Sequence, residues 1–449
     1  DEEERSPSRF LSGIGAARGA PPDRLAGFAE ELERTVANDV AARRHWRAAT
    51  YDDLESAVID GHRYHPAYKS RLGFDAADNA EFGPEFARPL RPVRVAAEVG
   101  GRPVVIPVHP WQWRRHAGTT WAALRLERRP DGPDEYRAQQ SIRTLANVSR
   151  PGRPSLKLAL SIVNTSTART LAPHTVANAP LITAWLERLV AGDPYLAREL
   201  RPVLLGERRG VAHSPELAAI WRDSVVPYLT AGEEVAPFTA LTHLDQTDRP
   251  FIAPWVKEPG VEAWTRRLLE VVLLPGLHLL VAHGVALEAH AQNVCLIHRR
   301  GRPERLVLRD FHDGLRYSPA GLADPAARPR LRATPAEHLA VNRNSYLEAD
   351  GDAEVRDFAL DCLLFVNLAE LALFLEDHFD LAEQRFWSMA RRVVEDHRRR
   401  FPALAGRAAR FDVLAPEVRV EQLTTRRLLP DTEVRTHTVR NPLALVDAD

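Results

Sequence analysis

The sequence predicts an α+β fold, with a β-rich front half and a largely helical back half. Two stretches of the front half, 93–108 and 136–171, are rich in β-branched residues and are broken by Gly- and Pro-containing turns, as is typical of antiparallel strands. In the back half, apolar residues recur at helical spacing over 261–284, 354–377 and 382–398. The length of 449 residues exceeds one small core and indicates two or three domains.

The front half is predicted to begin with a loop and a helix, because "RLAGFAEELERTVANDVAARRHW" has apolar residues at helical spacing. The stretch "VRVAAEVGGRPVVIPV" then predicts a β-hairpin that turns at Gly100 and Gly101. Two further strand-like runs, "YRAQQSIRTLANVS" and "SLKLALSIVNTSTARTL", are joined by the turn "RPGRP". These runs make the front half β-rich.

Helices are predicted to predominate from about Pro180. The clearest candidates are "APLITAWLERLVA" and "PELAAIWRDSVVPYL", followed by a long amphipathic helix over 261–284 that Pro275 can kink. A second hairpin, "VCLIHRRGRPERLVLRDF", interrupts this half. A Pro-rich loop over 319–336 leads into the last two helices.

The composition argues against nucleic-acid-binding and membrane-spanning proteins. A formal net charge of −1 gives no reason to expect nucleic acid or an anionic membrane as a partner. No uninterrupted apolar stretch reaches the roughly 20 residues of a membrane span. The best candidate, 261–284, is interrupted by Pro275, Gly276, His278 and His283. Cys295 and Cys362 lie in apolar runs, which predicts buried, inert thiols and a reducing, cytoplasmic compartment.

The polar stretch "EAHAQN", residues 288–293, stands between two apolar segments. Because burying a polar group without a partner costs about 1–3 kcal/mol, a hydrogen-bond network, a metal or a ligand must satisfy it. The hairpin that follows can return Asp310 beside Asn293, and these are oxygen donors of the kind that hold Mg²⁺ on nucleotide phosphates. The alternative is a polar loop that caps the helix. A zinc site is disfavoured, because His283 and His290 are seven residues apart and no thiolate is near except Cys295, which lies in an apolar run.

Two runs, "QQSIRTL" and "KLALSIVNTSTARTL", each place an Arg beside hydroxyl groups. Arginine binds polyphosphate in bidentate fashion, and Lys157, one of only three Lys among 60 basic residues, would add a compact charge. The alternative is a pair of Thr-rich strand faces with solvated Arg. No P-loop sequence is present.

Two smaller clusters of polar residues are candidates for the edge of a binding site. The run "GHRYHPAYKSR" could clamp a polycarboxylate through charge-assisted hydrogen bonds, or could be a solvated basic loop. The strand end "VHPWQW" either borders a site or forms a structural Trp–His turn.

These clusters, in this order, resemble the NRPS-independent siderophore (NIS) synthetases of the aerobactin-synthetase (IucA/IucC) family. "GHRYHPAYKSRLGF" is similar to the family signature GHPxHPxxKxRxGF, with Arg63 in place of the first proline. "VHPWQ", "SIRT", "KLALSIVNTSTART", "HGVALEAHAQN" and "RDF" also match, with similar spacing. The resemblance extends from about residue 56 to the end.

The resemblance implies a cupped-hand synthetase with thumb, fingers and palm. Residues 1–55 would be a shortened thumb-like segment, since family members are usually longer at the front. Residues 56–258 would be a fingers-like, phosphate-binding β-rich domain, and 259–449 a palm-like helical domain with the metal and nucleotide loop. Family members are often homodimers.

The resemblance also implies the chemistry. With ATP and Mg²⁺ as cofactors, such an enzyme adenylates a carboxylate of citrate, a citryl compound or a succinyl-type acid. An amine or hydroxyl, often on an N-hydroxylated diamine, then attacks to give an amide or ester with AMP and pyrophosphate.

Carried over by motif, Arg169 and His290 are predicted to act near the α-phosphate as the catalytic residues. The residues predicted to bind ATP are Ser141, Arg143, Thr144, Lys157, Arg169, His290 and Gln292. The predicted metal ligands are Glu288, Asn293 and Asp310. The predicted carboxylate-binding residues are His62, His65, Lys69 and Arg71.

Two other functions stay open on the sequence. Asn293, the hairpin and "DF" are also compatible with a kinase-like phosphotransferase, which would yield ADP. The second open function is a ferric-siderophore binding or reductase-related module, because the family's back half is related to iron-release proteins. Two cysteines argue against a cluster-bearing reductase.

Overall fold

The computed structural model describes residues 6–43, 45, 50–57, 64–165, 167–245, 247–430 and 432–446. The architecture is mixed α/β. The helices are α1 (Pro7–Arg18), α2 (Pro22–Arg43), α3 (Tyr51–Ser56), α4 (Ala76–Phe82), α5 (Pro110–His116), α6 (Pro173–Gly192), α7 (Ala253–Lys257), α8 (Val261–His278), α9 (Ala336–Val341), α10 (Asp352–Leu360), α11 (Ala369–Phe379), α12 (Glu383–Arg400), α13 (Ala405–Arg410) and α14 (Leu423–Leu428).

The strands fall mostly in the first two thirds of the chain. They are β1 (Val93–Val99), β2 (Arg102–Val108), β3 (Glu127–Arg129), β4 (Tyr136–Ala138), β5 (Thr144–Asn147), β6 (Ser155–Leu158), β7 (Leu160–Asn164), β8 (Thr167–Arg169), β9 (Val203–Leu204), β10 (Glu207–Ser214), β11 (Leu217–Arg222), β12 (Glu234–Pro237), β13 (Val285–Leu287), β14 (Val294–Arg299), β15 (Arg302–Leu308), β16 (Leu315–Tyr317), β17 (Glu417–Glu421) and β18 (Thr436–Arg440). Within the described residues, three π-helical segments with wider turns are Tyr195–Leu200, Leu279–His283 and Asp361–Leu368.

The first predicted hairpin is confirmed. β1 and β2 pair in antiparallel register from Val93↔Val108 to Val99↔Arg102. The turn residues Gly100 and Gly101 have φ of 57° and 74°, the left-handed conformation that a two-residue hairpin turn requires. The second predicted hairpin, β14–β15, is confirmed in the same way, and Arg300 and Gly301 at its turn have φ of 49° and 83°.

A five-stranded antiparallel sheet with the order β10-β11-β6-β5-β4 forms the centre of the front half. Directly opposed residues point to the same face. Thr144 faces Lys157 across β5–β6, and Arg222 faces Glu207 across β11–β10. Because Ile220 opposes Lys157 and lies two residues before Arg222, all four polar side chains share one face.

The prediction of a helix over 215–229 was wrong. This stretch contains β11, which pairs with β10 on one side and β6 on the other. Its short apolar run "LAAIWR" is buried almost throughout, and periodicity alone does not distinguish such a strand from a buried helix. The start of the chain also differs from the prediction, because the helix α1 forms where a loop was predicted.

The back half has one continuous apolar core around α8, α11 and α12. α8 packs on α12 and on β15 of the second hairpin, which places that hairpin against the helices. The predicted helix over 261–284 is confirmed as α8 continued by the π-helical segment Leu279–His283. The helices predicted over 354–377 and 382–398 are confirmed as α10–α11 and α12.

One helical stretch in the described part of the chain, Asp352–Phe379, is long and apolar enough to cross a membrane by length and composition. It is not the segment that the sequence singled out. Of its most apolar window 61% is buried in the protein, and a core helix passes the same test. Leu364, Leu368 and Leu375 belong to the main core, so we describe it as a core helix.

Candidate active site

The polar face of the five-stranded sheet meets the end of the hairpin β14–β15 at Asp310. Its Oδ1 lies 2.8 Å from Lys157 Nζ and 2.9 Å from Arg222 Nη1. Arg222 also donates through Nη2 to Gln139 Oε1 at 2.7 Å. The sheet and the hairpin are therefore joined by one carboxylate shared between two buried cations.

The electrostatics of this contact favour the charged carboxylate. Burial raises the pKa of Asp310, but Lys157 and Arg222 together outweigh it and hold that pKa well below its usual range. Burial also lowers the pKa of Lys157, which Asp310 opposes. These three groups alone sum to a net positive charge at neutral pH, which the buried carboxylate of Glu207 nearby offsets, since its pKa is also lowered.

A second acid–imidazole pair adjoins Asp310. His312 Nδ1 lies 2.7 Å from Glu207 Oε1, and the His312 backbone N–H donates to Glu207 Oε2 at 2.9 Å. The ligand atoms of Glu207, Asp310 and His312 all lie within 4.8 Å of one another. Neither His312 nor Glu207 was predicted as a site residue. The nearness of His312 to Asp310 in "RDFHDG" was an available signal, whereas the isolated Glu207 gave none.

The two predicted polyphosphate-binding runs converge. Thr144 and Lys157 are opposed across the sheet, and Ser141 Oγ donates to Thr144 Oγ1 at 2.7 Å. Arg143 Nη1 donates to the carbonyl of Arg169 at 3.0 Å and to that of Thr170 at 2.5 Å. The hydroxyl-rich run around 141–144 is therefore tied directly to the end of β8.

The Arg169 guanidinium has spare hydrogen-bonding capacity. Its Nη2 donates to the Asn164 carbonyl at 2.6 Å and to the Thr165 hydroxyl. Its Nε is buried and has no hydrogen-bond partner among the described residues. Burial, reinforced by Arg143, lowers the pKa of Arg169 to about 9. A buried cationic donor of this kind is costly unless an anion satisfies it.

A cavity opens beside Arg169. It has a volume of about 40 Å³. Its polar lining residues are Lys69, Arg71, Gln140, Ser141, Asn164, Thr165, Arg169 and Gln292. The lining combines three cations with hydroxyl and amide groups, which is suitable for binding phosphate or carboxylate groups.

The loop 288–293 is held against the hairpin, as the sequence predicted. Asn293 Nδ2 donates to the Glu288 carbonyl at 3.0 Å. Arg309, at the end of β15, donates to the Gln292 carbonyl through Nε at 2.9 Å and Nη2 at 2.6 Å. The Arg309 backbone N–H donates to the Asn293 carbonyl at 3.1 Å. These contacts place Asn293 directly beside the segment that carries Asp310.

Glu288 and His290 are unusual titratable groups. Burial raises the pKa of Glu288 to about 7, with Arg316 opposing the rise. Its side chain is still 37% exposed to solvent. Burial and then His65 lower the pKa of His290 to about 3, so its imidazole is neutral at physiological pH. Its Nε2 lies 3.9 Å from Glu288 Oε1.

The predicted metal ligands offer suitable donor chemistry. Glu288 and Asp310 supply carboxylate oxygens, and Asn293 uses its amide nitrogen as a donor, which leaves the amide oxygen as an acceptor. Oxygen donors of this kind are what Mg²⁺ prefers. The donor types of the three residues therefore suit a magnesium ion. The potential ligand atoms that lie within 4.8 Å of Asp310 belong to Glu207 and His312.

The predicted carboxylate-binding residues are largely engaged with protein groups. Lys69 Nζ lies 3.0 Å from Asp39 Oδ1. Arg71 forms a bidentate pair with Glu85 at 2.7 and 2.9 Å. Both side chains still line the cavity beside Arg169. His65 is near enough to lower the pKa of His290, and His62 lies outside the described residues.

The contacts of "VHPWQW" support the structural alternative. His109 Nδ1 accepts the Trp111 backbone N–H at 3.2 Å at the start of α5. Gln112 Nε2 donates to Ser161 Oγ at 2.8 Å and to the Glu216 carbonyl at 3.0 Å. This turn therefore fixes α5 to the strands.

A buried ion pair that the sequence did not indicate supports the 288–293 loop. Arg309 Nη1 lies 2.6 Å from Glu55 Oε1, and both side chains are almost fully buried. Glu55 comes from α3, 254 positions earlier in the chain. Such long-range pairing carries no local sequence signal.

Comparison with known proteins agrees with this architecture. The IucA / IucC family model matches residues 50–100 and 101–243, and the model for the ferric iron reductase FhuF-like transporter matches residues 262–436. A Staphylococcus aureus protein, 2-[(L-alanin-3-ylcarbamoyl)methyl]-3-(2-aminoethylcarbamoyl)-2-hydroxypropanoate synthase, is 36% identical over 94% of this chain and 78% of its own. The citryl-spermidine/3,4-dihydroxybenzoyl-citryl-spermidine:spermidine ligase of Bacillus anthracis is 35% identical over 98% and 81%.

Solved structures show the same fold. The petrobactin biosynthesis protein AsbB from Bacillus anthracis superposes with a TM-score of 0.91 at 34% identity, covering 99% of this chain and 83% of that one. The aerobactin synthetase IucC from Klebsiella pneumoniae has a TM-score of 0.82 at 23% identity, covering 98% and 86%. ATP-bound IucA from the same organism has a TM-score of 0.76 at 17% identity, covering 97% and 86%, and shares the fold.

Fold and relatives together define a ligase of siderophore biosynthesis, of the class that joins carboxylates to amines. The chain belongs to the IucA/IucC family of siderophore synthetases.

Proposed function

We propose that this protein is an ATP-dependent carboxylate–amine ligase that works through an acyl-adenylate. The observation that carries the proposal is a polar cavity lined by Arg169 and by Gln292 of the 288–293 loop. Arg143 donates to the Arg169 carbonyl, and Lys157 pairs with Asp310 of the hairpin segment. Buried cations beside oxygen donors for Mg²⁺ suit a triphosphate. An enzyme of the same fold, aerobactin synthetase IucA, has been solved with ATP.

The proposed reaction has two steps. In the first, a carboxylate oxygen of the acid attacks the α-phosphorus of ATP, and the bond to the leaving pyrophosphate breaks. In the second, an amine nitrogen or a hydroxyl attacks the activated carbonyl, the C–O bond to AMP breaks, and the nucleophile loses a proton. The products are an amide or ester, AMP and pyrophosphate.

The enzyme's main contribution is to position the reactants and to stabilise developing negative charge. Arg169, whose Nε has no partner within the described part of the chain, is proposed to stabilise charge on the α-phosphate. His290 is proposed to act beside it as a neutral hydrogen-bonding group, since burial holds its pKa near 3. The other proposed ATP-binding residues are Ser141, Arg143, Thr144, Lys157 and Gln292.

Glu288, Asn293 and Asp310 are the proposed magnesium-binding residues. When bound, the ion would neutralise phosphate charge and orient the leaving group. Lys157, whose ammonium pairs with Asp310, is proposed to lie between the metal-binding hairpin and the phosphates. This arrangement would tie phosphate binding on the sheet to metal binding on the hairpin.

The proposed acid is citrate, a citryl compound or a succinyl-type acid, and the proposed nucleophile is an amine or an N-hydroxylated diamine. The Bacillus anthracis relative is a ligase of citryl-spermidine and spermidine. The cavity wall formed by Lys69 and Arg71 supports carboxylate binding next to Arg169. We further propose action in the cytoplasm, a homodimer, and the thumb-like, fingers-like and palm-like division at residues 55 and 258.

The match of 262–436 to the FhuF-like model bears on the iron-reductase alternative. Cys295 is buried near Tyr51 and Glu55, whereas Cys362 is buried near Glu288 and Asp361. Two buried thiols in separate surroundings do not provide the cysteine ligands of an iron–sulfur cluster. The ligase is therefore the function that the site supports best.

The test is incubation with ATP, Mg²⁺, hydroxylamine and each candidate acid in turn. Adenylation predicts a hydroxamate and one pyrophosphate for each AMP. Accumulation of ADP without AMP, for every acid tried, would instead support a kinase-like phosphotransferase.

A further inference from the structure

A second group of metal-binding side chain types lies in the helical half and shares no residue with the proposed active site. Asp193 Oδ2 lies 3.0 Å from His278 Nε2 and 3.0 Å from His283 Nε2. The three potential ligand atoms all lie within 4.8 Å of one another. Two imidazoles therefore point at the same carboxylate oxygen.

The local helix geometry creates this convergence. α8 ends at His278 and continues as the π-helical segment Leu279–His283. In an α-helix, residues five apart point about 140° away from each other. The wider π-turn, with hydrogen bonds between residues five apart, brings such side chains towards one face, and π-segments are frequent at functional sites. The sequence spacing of His278 and His283 alone does not reveal this.

Other protein groups hold the three side chains in place. Asp193 Oδ1 accepts the backbone N–H groups of Tyr195 at 2.9 Å and Leu196 at 3.1 Å, which directs Oδ2 towards the imidazoles. His278 Nδ1 lies 2.9 Å from His397 Nε2 on α12. Ligating histidines in metalloproteins are oriented by such a contact at their second ring nitrogen.

We propose that Asp193, His278 and His283 bind a divalent transition-metal ion, with zinc as the metal. Two imidazoles and one carboxylate, with a fourth position left for water, are a known zinc ligand set. Ligands about 2.0–2.1 Å from a tetrahedral zinc lie roughly 3.3 Å apart. The two separations of 3.0 Å from Asp193 need to change by only a few tenths of an ångström. The two imidazole nitrogens lie within 4.8 Å of each other, so they need to approach by at most about 1.5 Å.

The site is accessible and is chemically distinct from the magnesium donors. The side chains of His283 and Asp193 are 20% and 12% exposed. A cavity of about 500 Å³, lined in part by Tyr195 and His397, lies alongside. Mg²⁺ prefers an all-oxygen environment, so ATP-bound magnesium would not compete for these imidazoles. A bound ion would link α8 to the segment after α6 and, through His397, to α12.

The test is a titration of the metal-depleted full-length chain with Co²⁺, whose visible absorption reports its coordination, followed by displacement with Zn²⁺. We expect one equivalent to bind with four-coordinate absorption in the wild type. His283→Gln and Asp193→Asn should each lower the affinity at least about 100-fold, and His397→Gln by about 10–100-fold. Two controls should bind Co²⁺ as the wild type does: His213→Gln, which changes an exposed histidine, and His312→Gln, which changes the active-site imidazole.

Three outcomes would overturn the proposal. In the first, the wild type binds no stoichiometric Co²⁺. In the second, His283→Gln and Asp193→Asn bind Co²⁺ with unchanged affinity. In both cases the cluster is only a hydrogen-bonded helix cap. Displacement of Co²⁺ by Fe²⁺ under anaerobic conditions at lower concentration than by Zn²⁺ would overturn the zinc assignment, because the same ligand set also suits ferrous iron. Circular dichroism establishes whether each variant is folded. If His283→Gln does not fold, Asp193→Asn provides the test.

Discussion

Lys157 and Asp310, 153 positions apart in the chain, form a buried ion pair with Nζ 2.8 Å from Oδ1. One residue belongs to the sheet face proposed to bind the triphosphate and the other to the hairpin proposed to bind magnesium. Arg222 holds the same oxygen at 2.9 Å. The two proposed parts of the site are therefore already joined in the protein.

Because Lys157 and Arg222 share the Asp310 carboxylate, removing that carboxylate should lower the stability of the protein more than removing Lys157. Asp310→Asn removes the carboxylate that two buried cations share and should destabilise the protein by about 3–5 kcal/mol. Lys157→Met leaves Asp310 paired with Arg222 and should cost less, about 1–3 kcal/mol. Urea denaturation of both variants measures the difference. A Lys157→Met variant as unstable as Asp310→Asn would contradict the shared pairing.

Arg169→Ala tests the guanidinium whose Nε has no hydrogen-bond partner among the described residues. Loss of a preorganised donor to developing charge typically lowers turnover about 10²–10³-fold, and we expect at least a 100-fold loss of pyrophosphate release. Arg169→Lys should recover only part of it, since an ammonium cannot reproduce the guanidinium fork. Arg302→Ala, in a hairpin-turn residue whose side chain is 75% exposed, is the matched control. Wild-type turnover in Arg169→Ala would remove this residue from the mechanism.

Arg309→Lys tests the support of the 288–293 loop. A lysine cannot bind Glu55 and the Gln292 carbonyl together as Arg309 does. We expect a loss of about 2–4 kcal/mol in stability and a raised KM for ATP, because Gln292 would shift. Arg299→Lys, on the same hairpin with its side chain 44% exposed, should change neither. An unchanged KM in a destabilised Arg309→Lys variant would limit Arg309 to a structural role.

Glu288→Gln tests whether the pKa of the Glu288 carboxyl is raised in the folded protein. The folded protein keeps a proton on Glu288 up to about pH 7, whereas in the unfolded chain this group titrates near 4.5. Stability is therefore lost as the pH rises through this window, and Glu288→Gln should raise the Tm relative to wild type more at pH 8 than at pH 5. The effect should stay below about 1 kcal/mol, because solvent screens a side chain that is 37% exposed. A Tm difference that does not vary with pH would show an ordinary pKa.

The strand turns were predictable because they depend on local chemistry. Gly100 with Gly101, and Arg300 with Gly301, take the positive φ values that hairpins require, and glycine marks both turns in the sequence. The second hairpin also allowed the proximity of Asn293 and Asp310 to be predicted, since a hairpin returns its ends to the same place.

The parts that sequence did not reveal depend on tertiary contacts. β11 was mistaken for a helix, and this hid Arg222, whose role follows from its position opposite Glu207. Lys69 and Arg71 were predicted to bind the carboxylate substrate. Their partners Asp39 and Glu85 lie far enough away in sequence to give no local signal of pairing. The π-turn that brings His278 and His283 together likewise has no periodicity that marks it in advance.

The most direct test of the central claim uses an acid that supports turnover, labelled with ¹⁸O in its carboxylates. Direct attack of a carboxylate oxygen on the α-phosphorus predicts that one ¹⁸O atom appears in each AMP, detected by mass spectrometry. Arg302→Ala should transfer the label as the wild type does, and Arg169→Ala should nearly abolish it. Label recovered in inorganic phosphate together with ADP, or AMP formed without label, would contradict an acyl-adenylate at this site.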